Sequence, residues 1–449
     1  MPHENILRKT TSCCPVCLDQ ADALILEKAG NIFLSKECPR HGKFELLLSE
    51  TPQYYRNIQK FFFRIMDNEK KLSEYEMWVT MKCNMNCPIC HLGKSRQDGN
   101  IPEPSLETIE RFIHKNKASS YILSGGEPTC RKDLPEIIKI FKKNRKTVTM
   151  HTNGLKLVNS KYLRVLQESG LDRVNLQFDG FKREGYKVFR GEDLLDMKLQ
   201  VLDNLKECHM PTDLNITIAR GVNEEAIGDC VDFAVKNRFI NSVNFFTICF
   251  LGEIKNWPSE RYIMPDEVVD RFTSAARGKI DKQNIFLFQK LHLILKAVLK
   301  QRFCLYNQIY VLVRNKDGYE PIDKYLNLQR AEKWFDLYAK HHEKNKILAK
   351  IISAGAIPLA LLKFSSFRII KEMALTGFSY LAGGSYHIKS KKLLYVGFCT
   401  GCDPYKIDYG LIRNCQDEII RCAGVDSELH NHGRDGLHFI GMEKGDFKA

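Results

Sequence analysis

The stretch MKCNMNCPIC, residues 81–90, places three thiols within eight positions, at Cys83, Cys87 and Cys90. It follows the run EMWVTM (residues 76–81), whose β-branched and aromatic residues predict a buried strand. The three cysteines therefore belong to a loop at the carboxyl end of that strand. Three thiolates can hold three irons of a four-iron four-sulfur cluster and leave the fourth iron without a protein ligand. A structural zinc site, completed by His91 or by a distant cysteine, is the alternative.

Short β-rich runs alternate with amphipathic helical stretches from this strand to about residue 280. We predict six strands, at EMWVTM, SYILSG, TVTMHTNG, RVNLQFDG, DLNITIA and SVNFFTICF, with helices such as SLETIERFIHKN and LPEIIKIFKKN between or after them. Six β/α units in series predict the α/β class and a parallel sheet with right-handed crossovers, a partial (β/α)6 barrel. Its active site is expected at the carboxyl ends of the strands.

Cysteine-bearing segments flank this region on both sides. We predict three parts: residues 1–72 as a metal-binding module of the zinc-ribbon or rubredoxin-like type, 73–280 as the partial barrel, and 281–449 as a helical region with a C-terminal cysteine-bearing extension. In the first part, ADALILEKAGNIFLS predicts two short strands around a turn at Gly30.

Composition narrows the class of protein. The hydrophobic content of 44% over 449 residues suffices for an ordinary core, and no leader or membrane-spanning run is evident. We therefore expect a cytoplasmic protein, in which the 16 cysteines serve metals and catalysis rather than disulfides. The charge of +14 fits an anionic membrane face, nucleic acid, an acidic substrate or a solvated lysine-rich surface, and no RNA-binding signature accompanies it.

The N-terminal segment has the pattern C-x2-C, twenty intervening residues, then CPRHG, with the donors Cys14, Cys17, Cys38 and His41. Paired thiolates on two turns suit a tetrahedral ion, either zinc or a single iron. Cys13 is an alternative fourth donor to His41. We expect a structural role, because a module of this size buries little core.

The second predicted strand runs into SGGEPT, Ser124 to Thr129. Its glycines allow a close backbone approach to a ligand, and Glu127 can accept hydrogen bonds from an ammonium group. With the preceding cysteine loop, this motif resembles the radical S-adenosylmethionine (radical SAM) superfamily over roughly residues 75–255.

That resemblance implies specific roles. Cys83, Cys87 and Cys90 would hold a 4Fe-4S cluster whose free iron chelates S-adenosylmethionine, which is cleaved reductively to methionine and a 5'-deoxyadenosyl radical. The residues expected to contact the methionine moiety are Gly125, Gly126, Glu127 and Pro128. Ile89 stands where relatives commonly have an aromatic residue near the adenine.

Polar residues close the later strands and are expected to reach the ribose or the carboxylate of the cofactor: Asn153, Gln177, Asp179, Asn215 and Thr217. For Asn153 and Asp179, turn formation before a glycine is an equal alternative. Gln177 and Asn215 would be costly inside a barrel without partners, which favours a ligand.

Further stretches, among them CPVC with CPRHG, LQFDGF and CDPYKIDYGLIRNC, resemble the branch containing archaeal tetraether lipid synthases and methanopterin-pathway pterin methylases. This implies functionalisation of an unactivated C–H bond, by carbon–carbon coupling or methylation, and a reductant such as flavodoxin or ferredoxin. It also implies an auxiliary 4Fe-4S cluster, for which zinc is the alternative, on Cys399, Cys402, Cys415 and Cys422.

For the substrate we expect a lipid-like or otherwise hydrophobic molecule. Basic amphipathic stretches, Phe286–Lys300 and Ile347–Ile370, can lie on an anionic membrane surface or cover an apolar tunnel, although ordinary helix packing also explains them. The alternatives are methylation of a pterin or other small molecule and, in a different class, a non-catalytic or electron-transfer iron-sulfur protein.

Overall fold

The structure is a computed structural model that describes residues 4–17, 19–65, 74–90, 92, 103–116, 118–249, 259–300, 307–342, 344–363, 371, 392–400, 406, 408, 419–421 and 430–431. In this part of the chain two sheets are present, one of four strands and one of eleven. No helix there is long and apolar enough to cross a bilayer.

The small sheet is an antiparallel meander of four neighbouring strands: β1 Asn5–Cys13, β2 Gln20–Lys28, β3 Asn31–Cys38 and β4 Gly42–Ser49. The predicted hairpin turn at Gly30 joins β2 to β3, where the glycine adopts a φ of +75°. Strands β1 and β4 add to the two strands that the sequence predicted. The meander therefore holds both of its metal-ligand turns, after β1 and after β3, at one end.

The helix α1, Pro52–Ile65, leads from the meander to the large sheet. The six predicted strands are present as β5 Glu74–Thr80, β6 Ser120–Gly125, β7 Thr147–Thr152, β8 Arg173–Gln177, β9 Thr212–Ile218 and β10 Ile240–Thr247. They are parallel and adjacent in chain order. The carboxyl ends of all six strands consequently meet at one edge of the sheet.

Helices connect these strands: α2 Leu106–Lys115, α3 Leu134–Lys143, α4 Ser160–Glu168, α5 Arg183–Arg190, α6 Leu195–Glu207, α7 Ala226–Lys236 and α8 Pro265–Ala275. One face of each strand packs against them. Residues such as Val148, Val174 and Leu214 are fully buried in that core. The alternation of side chains along a strand leaves the other face for the polar residues.

Beyond residue 280 the chain returns to the same sheet, which the sequence did not predict. The elements are α9 Lys282–Val298, β11 Asn307–Arg314, β12 Tyr319–Pro321, α10 Leu328–His342, α11 Lys346–Ile351, α12 Ile357–Leu361, β13 Leu393–Thr400, β14 Ile419–Arg421 and β15 His430–Asn431. β13 pairs in parallel with β10, β11 pairs antiparallel with β13, and β14 pairs with β5. Strands β12 and β15 form the two edges, so the sheet is a partial barrel and not a closed one.

The C-terminal segment is tied to the N-terminal meander by one ion pair. The Asp408 carboxylate, which is 1% exposed, accepts hydrogen bonds from Arg8 and from the Thr10 hydroxyl on β1. Nearby, Lys406 donates to the Ile248 carbonyl after β10 and to the Thr400 hydroxyl at the end of β13. Asp408 thus contacts the meander, and Lys406 contacts the large sheet.

We expect Asp408→Asn to release this contact, because loss of one charge from a buried pair leaves the other uncompensated at a cost of about 3 kcal/mol. Hydrogen exchange of the β1 amides should increase. Asp19→Asn is the matched control, because its partner Arg40 and Asp19 itself are both largely exposed. Equal exchange in the two variants would contradict a clamping role for Asp408.

Candidate active site and metal centres

The turns of the meander bring the four predicted N-terminal donors together. The ligand atoms of Cys14, Cys17, Cys38 and His41 all lie within 4.8 Å of one another. The Cys17 and Cys38 sulfurs are 3.8 Å apart, and the His41 Nδ1 atom is 3.6 Å from the sulfur of Cys14. A tetrahedral ion with zinc–sulfur bonds of about 2.3 Å requires separations of just under 4 Å, so the residues fit such an ion.

The protonation chemistry of this group also suits a metal. Desolvation raises the pKa of the Cys38 thiol, but hydrogen bonds from the backbone of Arg40 and from His41 outweigh it and lower the pKa to about 6. Burial raises the pKa of Cys14. Cys38 therefore ionises before Cys14, and a divalent cation would hold the thiols that it binds as thiolates.

The cysteine loop lies where the sequence places it, at the carboxyl end of β5. Unlike the N-terminal group, Cys83, Cys87 and Cys90 do not form a set of ligand atoms within 4.8 Å among the residues described. In a four-iron cluster each thiolate binds a different iron, so a cluster does not require the three sulfurs to converge on one ion, and the cluster ligands stay a prediction. Burial, with a contribution from Glu127 and the two other cysteines, raises the pKa of Cys83 to about 12, so this thiol ionises only against a strong positive charge.

The glycines of the SGGEPT motif allow a close approach, but the partner is the chain itself. A Cβ atom on Gly126 would lie 2.3 Å from the Lys82 carbonyl oxygen, and one on Gly125 would lie 2.1 Å from that of Thr80. Backbone hydrogen bonds of 2.8 Å join Gly126 to Thr80 and Glu127 to Lys82. The motif therefore holds the residues that lead directly into the cysteine loop, and contact with a ligand stays a prediction.

Glu127 is buried and links two strand ends. Its Oε1 atom accepts hydrogen bonds from the Thr129 backbone and hydroxyl and from the Thr152 hydroxyl, and its Oε2 atom accepts one from the Asn153 backbone. A carboxylate offers about four acceptor positions. Only the Oε2 side keeps capacity for an ammonium group, and Pro128 begins the short helical turn that the Glu127 carboxylate caps.

Four of the five predicted polar residues of the later strands, Asn153, Gln177, Asp179 and Thr217, belong to one hydrogen-bonded network at the same edge, and Asn215 lies outside it. The Asn153 amide donates to the Asn84 side chain in the cysteine loop, at 2.8 Å, and its oxygen caps the turn at Leu155. Asn153 therefore links the end of β7 to the cysteine loop and also stabilises the turn that follows the strand. The Asn215 oxygen accepts a hydrogen bond from Asn244 at 3.1 Å.

Two cations complete this network, and the sequence analysis missed both. The buried Asp179 binds Arg190 through two hydrogen bonds of 2.7 and 2.8 Å, and Arg190 also donates to the Thr217 hydroxyl. Lys198 is fully buried and donates to the Asn153 and Gln177 carbonyls and to the Gln177 side chain. Burial lowers the pKa of Lys198 to about 7.

A signal for Lys198 was available. It occupies a core position in the helical spacing of α6, between Leu195 and Val201, where an apolar residue is expected. A charged residue at such a position indicates a buried partner.

Apolar contacts surround the cysteine loop. Ile89 packs with Phe189, Ala219 and Ile248, the last two of which follow β9 and β10. Met85 packs with Tyr186 on the other side of the loop. These contacts bury Met85 and Ile89, whereas Asn84, Asn86 and Pro88 are exposed. An adenine contact of Ile89 stays a prediction.

Of the predicted C-terminal donors, only Cys399 belongs to the described residues, and it ends β13 as a buried residue. Cys402, Cys415 and Cys422 lie outside the described residues, so the auxiliary cluster stays a prediction. Cys249, after β10, is half-buried near the same edge.

Comparisons with known protein families match the two regions that carry the N-terminal donors and the cysteine loop. Residues 77–234 match the family model of the Radical SAM superfamily, and residues 6–50 match that of the HMPTM N-terminal zinc ribbon domain. The chain is 28% identical to the 7,8-dihydro-6-hydroxymethylpterin dimethyltransferase of Methanocaldococcus jannaschii, over 91% of this chain and 90% of that protein. It is also 34% identical to a probable GTP 3',8-cyclase of Pyrococcus abyssi, over 35% of this chain and 51% of the cyclase.

Among solved structures, SuiB of Streptococcus suis bound to the precursor peptide SuiA is similar, with a TM-score of 0.40 and 18% identity over 52% of this chain and 51% of that chain. A likeness at this level carries no weight for function.

We expect Gly126→Ala to prevent formation of the iron site, because its Cβ atom would collide with two backbone carbonyls at the entry to the cysteine loop. Iron and sulfide bound per chain after anaerobic reconstitution should fall by more than half. Gly228→Ala is the matched control, because its Cβ atom would meet the nearest atom at an ordinary 3.4 Å. Normal iron content in Gly126→Ala would contradict this role of the glycine.

Proposed function

The chain belongs to the radical SAM superfamily, and on this basis we propose that it functionalises a C–H bond of a pterin, most simply by methylation. The similarity that supports a pterin is the one to the pterin dimethyltransferase, because it covers 91% of this chain and 90% of that protein. The similarity to GTP 3',8-cyclases covers between 34% and 46% of the chain.

The donor sets define which residues would hold which group. Cys83, Cys87 and Cys90 would bind the 4Fe-4S cluster, and the N-terminal group of three cysteines and His41 would bind zinc. When bound, the cluster and S-adenosylmethionine supply a one-electron cleavage of the sulfonium, and with it a radical that can take a hydrogen atom from an unactivated C–H bond. An external one-electron donor such as flavodoxin or ferredoxin belongs to this proposal, as does an auxiliary cluster at the C-terminal cysteines.

The surrounding residues would fix charges and exclude water. Arg190 is held by Asp179 and contacts Cys87, and its guanidinium offers positive charge to a carboxylate at the mouth. Lys198 fixes the carbonyls of Asn153 and Gln177, and so the orientation of both strand ends.

Two cysteine variants separate the two metal centres. Under anaerobic conditions with dithionite and S-adenosylmethionine, Cys87→Ala should lose 5'-deoxyadenosine production by at least ~100-fold while retaining zinc. Cys17→Ser should lose zinc while retaining much of its iron, because its donor set is separate. Cys208→Ala, an isolated cysteine at the end of α6, is the control that should change neither.

The substrate class is tested in the same mixture with 6-hydroxymethyl-7,8-dihydropterin. Mass spectrometry should detect a methylated pterin that accumulates with 5'-deoxyadenosine, and S-adenosylhomocysteine would identify a second S-adenosylmethionine as the methyl donor. Production of 5'-deoxyadenosine without any change to the pterin would refute the pterin assignment and leave the radical SAM assignment intact.

A lipid-like substrate is the second candidate, and one surface favours it. The helical stretch from α11 to α12 exposes an apolar stripe, with Ile347 74%, Ile351 60% and Leu359 65% exposed. Residues 344–363 contain four lysines and no acidic residue. This combination suits peripheral contact with an anionic membrane; the remainder of the predicted stretch, residues 364–370, lies outside the described residues.

Vesicle flotation tests this surface. The protein should float with vesicles that contain phosphatidylserine and not with pure phosphatidylcholine, and Ile351→Glu should reduce the bound fraction about fivefold or more. Val165→Glu replaces an exposed apolar residue on α4 and should have no effect. Equal binding to both kinds of vesicle, or none to either, would remove the support for a membrane-associated lipid substrate.

A further inference from the structure

The polar face of the large sheet carries a second layer of functional groups below the strand ends. His151, Asn175, Asp213 and Ser242 are paired across the neighbouring strands β7, β8, β9 and β10. We call these four residues the inner row. Asn175 precedes Gln177 by two positions, so the inner row lies about 7 Å below the network at the mouth.

The side chains of the inner row lie on the face opposite the helix-packed core. Their chain neighbours Met150, Val174, Leu214 and Val243 are all fully buried in that core. Because side chains alternate along a strand, the inner row is directed to the concave side of the partial barrel. Ser242 and His151 are only half-buried, whereas Asn175 and Asp213 are buried.

Asn175 is the unusual member of the inner row. It is 1% exposed, and within the described part of the chain neither its Nδ2 nor its Oδ1 atom has a hydrogen-bond partner. The Nε2 atom of His151, on the adjacent strand, also lacks one. Buried polar groups are nearly always paired, and each unpaired one costs about 1–3 kcal/mol. The Asn175 amide and carbonyl are therefore suited to form hydrogen bonds with a bound ligand.

The neighbouring Asp213 is held in place and keeps spare acceptor capacity. Arg173 lies 3.1 Å from both carboxylate oxygens, and the Ser242 hydroxyl donates to Oδ1 at 2.8 Å. Arg173 balances the negative charge, and among the residues that the structure describes Oδ2 has one donor. Asn175 and Asp213 lie on adjacent strands about 4.8 Å apart.

We propose that Asn175 and Asp213 bind the 2-amino-4-oxopyrimidine edge of the substrate, an inference that rests on the pterin assignment above. The Asn175 amide donates to the ring carbonyl and its oxygen accepts from the adjacent ring N–H, while the Asp213 carboxylate accepts from the exocyclic amine. This orientation directs the second ring of a pterin toward Gln177 and the cysteine loop.

Guanine carries the same edge, so the experiment includes both heterocycles. The full-length, anaerobically reconstituted protein is titrated with 6-hydroxymethylpterin, whose fluorescence reports binding, and guanosine and a 2-oxo analogue (a lumazine) serve as competitors. Asn175→Ala should weaken pterin binding about 10- to 100-fold, as expected for loss of a two-point amide contact. The lumazine should compete poorly, because it cannot donate an amine hydrogen to Asp213.

Thermal stability distinguishes ligand binding by Asn175 from a purely structural role of this residue. An asparagine that stabilises the fold would destabilise the protein when replaced, whereas removal of two unpaired polar groups should leave thermal stability unchanged or higher. Asn237→Ala, at the end of α7, is the control for an asparagine with local hydrogen bonds and should not change pterin binding.

The outcomes separate the inference from the proposed function. Methylated pterin from the wild type with equal pterin affinity in Asn175→Ala refutes the inference alone. Tight binding of guanosine and none of the pterin supports recognition of the edge but refutes the pterin substrate. Binding of neither heterocycle, with continued production of 5'-deoxyadenosine, refutes both the inference and the pterin assignment but not the radical SAM chemistry.

Discussion

The site depends on one close contact between two backbones. Gly125 and Gly126 let the end of β6 approach the residues after β5 so closely that a side chain at either position would overlap a carbonyl oxygen. Two backbone hydrogen bonds close this contact, and the Glu127 carboxylate extends it to β7. The cysteine loop therefore begins from a fixed position, which a reactive metal site requires.

The two faces of the large sheet differ in character: one carries buried ion pairs, and the other carries the apolar core. The concave face brings together the buried pairs Asp179–Arg190 and Asp213–Arg173, in which each carboxylate has a guanidinium partner. The helix-facing side of the same strands carries apolar residues, both aliphatic and aromatic. Since unpaired charges are costly to bury, this pairing lets the sheet present polar groups to a ligand without destabilising the core.

The sequence predicted the features that local patterns encode. Six strands with intervening helices, the turn at Gly30 and the four N-terminal donors follow from periodicity and spacing, and the structure confirms that these elements and donors come together. The pairing of β13 with β10 was not predictable, because the two strands are separated by more than 140 residues and only tertiary packing selects that partner. Lys198 and Arg190 were missed for a related reason, since helices α5 and α6 acquire their function from the strand ends they face.

The link between Arg8 and Asp408 has a consequence for biosynthesis. These two residues are separated by 400 positions, so at about 5–20 residues per second the ribosome needs roughly 20–80 s to deliver the second after the first. The meander can therefore fold locally well before residue 408, its acidic partner, has been synthesised. A nascent chain that is released before residue 408 is added would expose β1 without its acidic partner.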